Sequence, residues 1–150
     1  MDKYTISLPV IDKCISSNGR YDIEKTSSQE MRAILETFAG YFKKEFKYDH
    51  IQYEADEHLY DDHKYHGLLF TEAAFDAMTE EHSETPTRLI GGCCFRWREF
   101  SDRSCWVLDW VWLHPFCRHR GILRSHWGAL EKQFGDFGII EGVRSTHLTK

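Results

Sequence analysis

The chain has 150 residues, 41% hydrophobic and 15% aromatic, which is enough apolar material to fill one core without a disulfide framework or a structural metal, so a single domain over residues 1–150 is expected. The formal net charge of -5 at pH 7 argues against broad nucleic-acid binding, which needs a basic face to displace counterions. No segment stays apolar for the roughly 20 residues a bilayer-spanning helix requires, and the N-terminal stretch has no uninterrupted apolar run, so no membrane association is expected. Cys14, Cys93, Cys94, Cys105 and Cys117 form no CxxC pair and no regular spacing, which points to a reducing cytoplasm.

Ser27 and Glu30 have the spacing of a capping box. Behind them Met31, Ile34, Leu35, Phe38, Phe42 and Phe46 recur at intervals of three and four, predicting an amphipathic helix over residues 28–46. The acidic stretch 54–66 reads as a loop, followed by a short strand at 66–70 and a short helix at 71–80. His50, His58, His63 and His66 with Asp56, Asp61 and Asp62 match no familiar ligand spacing, so no metal is expected. Their acidity suits attraction of a cationic amine.

Residues 88–99 and 104–113 favour strands and flank a polar turn, predicting an antiparallel hairpin. The second arm is apolar on both faces and is expected at the centre of a sheet. Asp109 is its lone carboxylate. Such a group is costly to bury unless paired or functional: it is either a proton acceptor whose pKa burial raises or the partner of Arg96 or Arg98 on the adjacent arm, with Glu99 as the reserve acceptor.

His114-Pro115 ends the arm, because proline cannot donate to a ladder. A loop of Phe116, Cys117, Arg118, His119 and Arg120 follows, and Gly121 opens a helix to Phe134 with Leu123, Trp127, Leu130 and Phe134 on its inner face. Between His114 and His126 there are three arginines (Arg118, Arg120, Arg124) and no acid. Cys117 and His119 are read as loop residues rather than a nucleophile pair, and the tryptophans as core. A last strand is expected near 137–142. The order gives a mixed α/β (α+β) fold, a largely antiparallel sheet flanked by helices.

A strand running through a basic loop into a glycine-opened helix is an anion site: unpaired N–H groups and the helix dipole point at the ligand, and a pyrophosphate fits. Leu113-His114-Pro115 followed by Arg118-His119-Arg120-Gly121-Ile122-Leu123 resembles the GNAT superfamily of acyl-CoA N-acyltransferases, whose motif is R/Q-x-x-G-x-G/A at such a junction. The resemblance spans roughly residues 89–140. It implies that Arg118, His119, Arg120, Gly121, Ile122 and Leu123, with Arg124 and Ser125 nearby, surround the pyrophosphate of acetyl-CoA. It further implies that Trp112, Leu113 and His114 pair their backbone with the pantetheine arm, and that an N–H near Leu113 polarises the thioester carbonyl. An amine of a small molecule or peptide would then attack directly, and Asp109 matches the family's acidic strand position.

Two departures stand beside the resemblance. Leu123 replaces the usual glycine or alanine, no tyrosine follows Tyr65 to serve as the family's general acid, and no room is expected after Glu141-Gly142-Val143-Arg144 for the family's tyrosine-bearing helix and two further strands. These favour a rival expectation, a non-catalytic acyl-CoA-binding or protein-interaction module on the same scaffold. A homodimer that completes the sheet is a third.

Overall fold

The computed structural model describes residues 6–56 and 64–139. The first apolar face forms helix α1, Gln29–Phe46. The Ser28 hydroxyl accepts the Met31 N–H at 3.2 Å, Lys43 and Lys44 lie in the last turn, and Lys47 closes the end in the left-handed region at φ 57°. The cap is thus one residue later than the expected Ser27, whose hydroxyl instead accepts the Glu24 N–H. Among the described residues no helix is long and apolar enough to cross a membrane.

Strands β1 (Val10–Ile11), β2 (Arg20–Ile23), β3 (Tyr65–Ala73), β4 (Thr87–Glu99), β5 (Ser104–Leu113) and β6 (Gly138–Ile139) form one sheet in the order β2-β3-β4-β5-β6, with β1 laid against the start of β4. All pairings are antiparallel except β5 with β6, which is parallel. This is the mixed, largely antiparallel sheet flanked by helices that the sequence predicts. The middle of the order is β4, however, not β5. Strand β5 is apolar on both faces because a helix covers each, and it is buried from residue 107 to 113.

The helix expected at 71–80 does not form. Thr71, Glu72 and Ala73 extend β3 beyond a bulge and pair with Leu89, Arg88 and Thr87, and a 3-10 turn at Phe75–Ala77 follows. Partners distant in sequence override the helical preference of that segment. A second irregularity lies in the central hairpin: Cys94 pairs with Trp110 and Phe95 with Leu108, so Asp109 is an extra residue bulged out of β5.

Helix α1 covers one face. Leu35 fills the space over Gly67 and Gly92 that a Cβ at either glycine would occupy, Phe38 stacks on Trp112 at 5.5 Å, and Phe42 lies 6.1 Å from Trp110. Helix α2, Ile122–Phe134, covers the other, with Phe134 stacked on Phe95 at 4.0 Å and edge-on to Trp106. Its buried residues are His126, Leu130 and Phe134, while Leu123 and Trp127 are only half-buried. The inner face is therefore turned from the expected one. The reason is His126, whose Nδ1 meets Arg20 Nη1 at 2.9 Å and whose ring lies against Phe70.

Burial, and then the Arg20 charge, push the His126 pKa down from its ordinary value; burial likewise lowers that of His114, opposed by a hydrogen bond to the Ile6 backbone and reinforced by Arg118. Both imidazoles are held neutral in the fold, so the unfolded chain binds more protons once pH falls below about 6.5. Stability is then fully present above that pH and is lost on acidification, at up to ~1.4 kcal/mol per pH unit for each histidine. Urea midpoints should fall between pH 7.5 and 5.5, and His126→Gln should be less stable at pH 7.5 but less sensitive to acid; an equal pH dependence in the variant would remove His126 from the account.

Candidate functional site

Among the described residues strand β6 meets β5 at Val107 and Leu108, while β5 runs on to Leu113. From Asp109 to Leu113 the side of β5 away from β4 is its outer edge. The His114 N–H donates to the Ile90 carbonyl at 2.9 Å, so by the alternation of an antiparallel ladder Trp112 also turns its backbone toward β4. Leu113 and Val111 turn theirs to the outer edge. Of the three residues expected to offer backbone there, only Leu113 does so, and its carbonyl accepts from Arg118 Nε at 2.9 Å.

Beyond Leu113 the chain makes a 3-10 turn at Pro115–Cys117, capped by the His114 Nδ1, which accepts the Phe116 N–H at 3.1 Å. His119 and Gly121 then take left-handed conformations, φ 63° and 74°, before α2 begins. A Cβ on Gly121 would meet nothing within 4 Å, and no side chain caps the helix. The first intrahelical bond is from Ser125 N–H to Gly121 O, which leaves the amides of Ile122, Leu123 and Arg124 at the first turn facing the loop side. The outer edge of β5 and this helix end are joined by the eight residues 114–121.

The basic residues divide by role. Arg118 is largely covered and grips the Glu45 carboxylate with both terminal nitrogens, at 2.6 and 2.8 Å, so its charge is neutralised within the fold. His119, Arg120, Arg124 and Ser125 are exposed, and the Ser125 hydroxyl donates to Ile122 O at 2.7 Å. Leu123 packs its side chain partly on the core. Cys117 is buried and its thiol is pushed up by that burial, whereas His119 is exposed.

Asp109 is 7% exposed and both its oxygens are engaged. Oδ2 accepts from Arg96 Nε at 2.8 Å and Oδ1 from Arg98 Nη2 at 3.2 Å. The arginine pairing named as one of two readings is present. Arg96 also donates to the Gln52 carbonyl, and Arg32 and Glu36 hold the backbone of Ala55, so three side chains clamp loop 51–56 over the sheet. Glu99 is exposed at the far end of β4, paired with Ser104, at the opposite end of the hairpin from Leu113.

Of the histidine-rich stretch, His66 bonds Asp22 at 2.9 Å and Gln133 at 3.1 Å, and His50 borders a shallow polar hollow with Lys43, Asp49 and Glu54. His58, His63, Asp61 and Asp62 lie outside the described residues, as does the part of the expected last strand from residue 140 on. Among the described residues no His, Cys, Asp and Glu cluster is arranged to hold a metal ion.

Sequence reasoning missed Glu45. Its signal was an acid in the last turn of a helix, where the dipole disfavours one, which marks a carboxylate engaged elsewhere. No protein-family model matches the chain, and no curated protein matches it. Among solved structures it is similar to an aminoglycoside acetyltransferase from an uncultured soil metagenomic sample, at 17% identity and a TM-score of 0.46, covering 90% of this chain and 78% of the other.

Proposed function

We propose that the chain binds acetyl-CoA, or a related acyl-CoA, and transfers the acetyl group to a primary amine of a small molecule or peptide. The observation that carries this reading is the end of β5 leading, through residues 114–121, to an uncapped helix opened by a left-handed glycine. The motif resemblance to the GNAT superfamily supports it. The pantetheine arm lies along the edge at Val111 and Leu113, and the pyrophosphate takes the α2 amides with Arg120 and Arg124 at the rim. In the reaction the amine nitrogen bonds to the thioester carbon, the carbon–sulfur bond breaks, and CoA leaves as the thiolate. The Leu113 N–H faces the developing oxyanion. Asp109 is the assigned acceptor of the amine proton.

A second reading, an acyl-CoA-binding module without turnover, is favoured by the two guanidinium groups that already occupy Asp109. Both readings need the same cleft. Calorimetric titration with acetyl-CoA and desulfo-CoA should give dissociation constants below about 1 mM. Gly121→Asp should keep its fold, because aspartate tolerates the left-handed region and the space is open, yet weaken desulfo-CoA at least ~10-fold relative to Gly121→Asn. No binding at millimolar ligand, or equal binding by the two variants, would remove the anion site.

A further inference from the structure

Arg118 is the first residue of the motif, and its side chain is turned away from helix α2. Nε donates to Leu113 O at 2.9 Å, Nη1 to Glu45 Oε2 at 2.6 Å and Nη2 to Glu45 Oε1 at 2.8 Å. The same Oε1 accepts Trp112 Nε1 at 3.0 Å. The guanidinium carbon lies 5.8 Å from the Trp112 ring and 6.0 Å from that of Phe46, so the cation lies over two aromatic faces as well as being bonded. One carboxylate at the end of α1 thereby ties together the last residues of β5 and the loop that precedes α2.

From this we infer that Glu45 is a positioning residue for the acyl-CoA site, acting through Arg118. The inference rests on the acyl-CoA reading above. The loop is pinned at His114, through its own N–H and ring nitrogen, and again at Arg118. Only His119 and Arg120 separate the second pin from Gly121, and His119 is already held in a left-handed conformation. Where the α2 amides point is therefore set by where Arg118 is held. The planar fork of arginine fixes direction as well as distance, and lysine would not replace it.

Simple electrostatics predicts the opposite sign from positioning. Glu45→Gln removes a negative charge near an anion site and leaves Arg118 cationic, so by charge alone CoA should bind more tightly. If Glu45 positions the loop, binding weakens. Desulfo-CoA titrations of the wild type, Glu45→Gln, Arg118→Gln and the double variant, made where each is folded by circular dichroism, separate the two. The expected result is about a 10-fold weaker dissociation constant for Glu45→Gln, with the double variant no weaker than the worse single. Unchanged or tighter binding in Glu45→Gln, or additive losses in the double variant, would overturn the inference. Amide hydrogen exchange of the peptide 114–126 is read on the same proteins without ligand. Faster exchange there in Glu45→Gln, with α1 and β3 unchanged, is expected. If the wild type binds no desulfo-CoA, the acyl-CoA reading fails, and exchange alone decides whether Glu45 organises the loop: unchanged exchange would overturn that too.

Discussion

Gly91→Ala is expected to lower stability by about 3 kcal/mol, near ~10 °C in Tm for a chain of this size, and to weaken acyl-CoA binding with it. Gly91 lies in β4 directly opposite Leu113. A Cβ there would overlap the carbonyl oxygen of Trp112 and approach Leu113 Cα and Cδ2 to 2.9 Å. Two of these three obstacles are main chain, so rotating a side chain cannot relieve the clash and the strands must separate. The strand displaced is the one that presents Leu113 to its outer edge. Gly67→Ala makes a useful contrast, because its tightest contact is the far end of the Leu35 side chain rather than main chain. Thermal melts and desulfo-CoA titrations of the two variants check this. Equal behaviour would mean that the backbone contact at Gly91 is relieved without moving β5.

Asp109→Ala is expected to cost about 3 kcal/mol, because it removes the carboxylate that Arg96 and Arg98 share and Arg96 is largely buried, whereas the half-exposed Arg98 re-solvates. The loss is not the worth of the pair. Replacing Asp109 and Arg96 together by leucine and methionine should recover most of it, since two buried charges disappear at once. The recovery will be incomplete, because Arg96 also holds the Gln52 carbonyl and with it one end of loop 51–56. Asp109→Asn addresses the other role. If Asp109 is the proton acceptor proposed above, the amide variant should lose about 100-fold in kcat while its affinity for desulfo-CoA stays the same. Turnover equal to wild type, at a temperature where the variant is folded, would assign the carboxylate wholly to its arginines.

What could be read from the chain was whatever repeats locally. Helix α1 carries its own period and its own polar ends, and the hairpin of β4 and β5 is long enough for β-favouring residues to accumulate around one turn. Strands β1 and β2 are two and four residues long and exist only because β4 and β3 pair with them, so no periodicity announces them. Thr71 to Ala73 failed for the same reason in reverse. On α2 the pattern of apolar residues favoured Leu123 and Trp127 as the inner face, since a histidine counts as polar until an arginine and a phenylalanine surround it. The loop and glycine of the site were legible as a motif. The carboxylate that holds Arg118 was not, lying 73 residues away with no spacing to connect them.

The extra residue in β5 settles which bulky groups each helix meets. In an unbroken strand, side chains repeat with a period of two, so Trp106, Leu108, Trp110 and Trp112 would all project from one side and crowd a single helix. Asp109 acts as a half-period slip. Before it, Trp106 reaches Phe134 of α2; after it, Trp110 and Trp112 reach Phe42 and Phe38 of α1. Four even-numbered residues are thus shared between two layers, and a residue that carries charge also sets the parity of the strand.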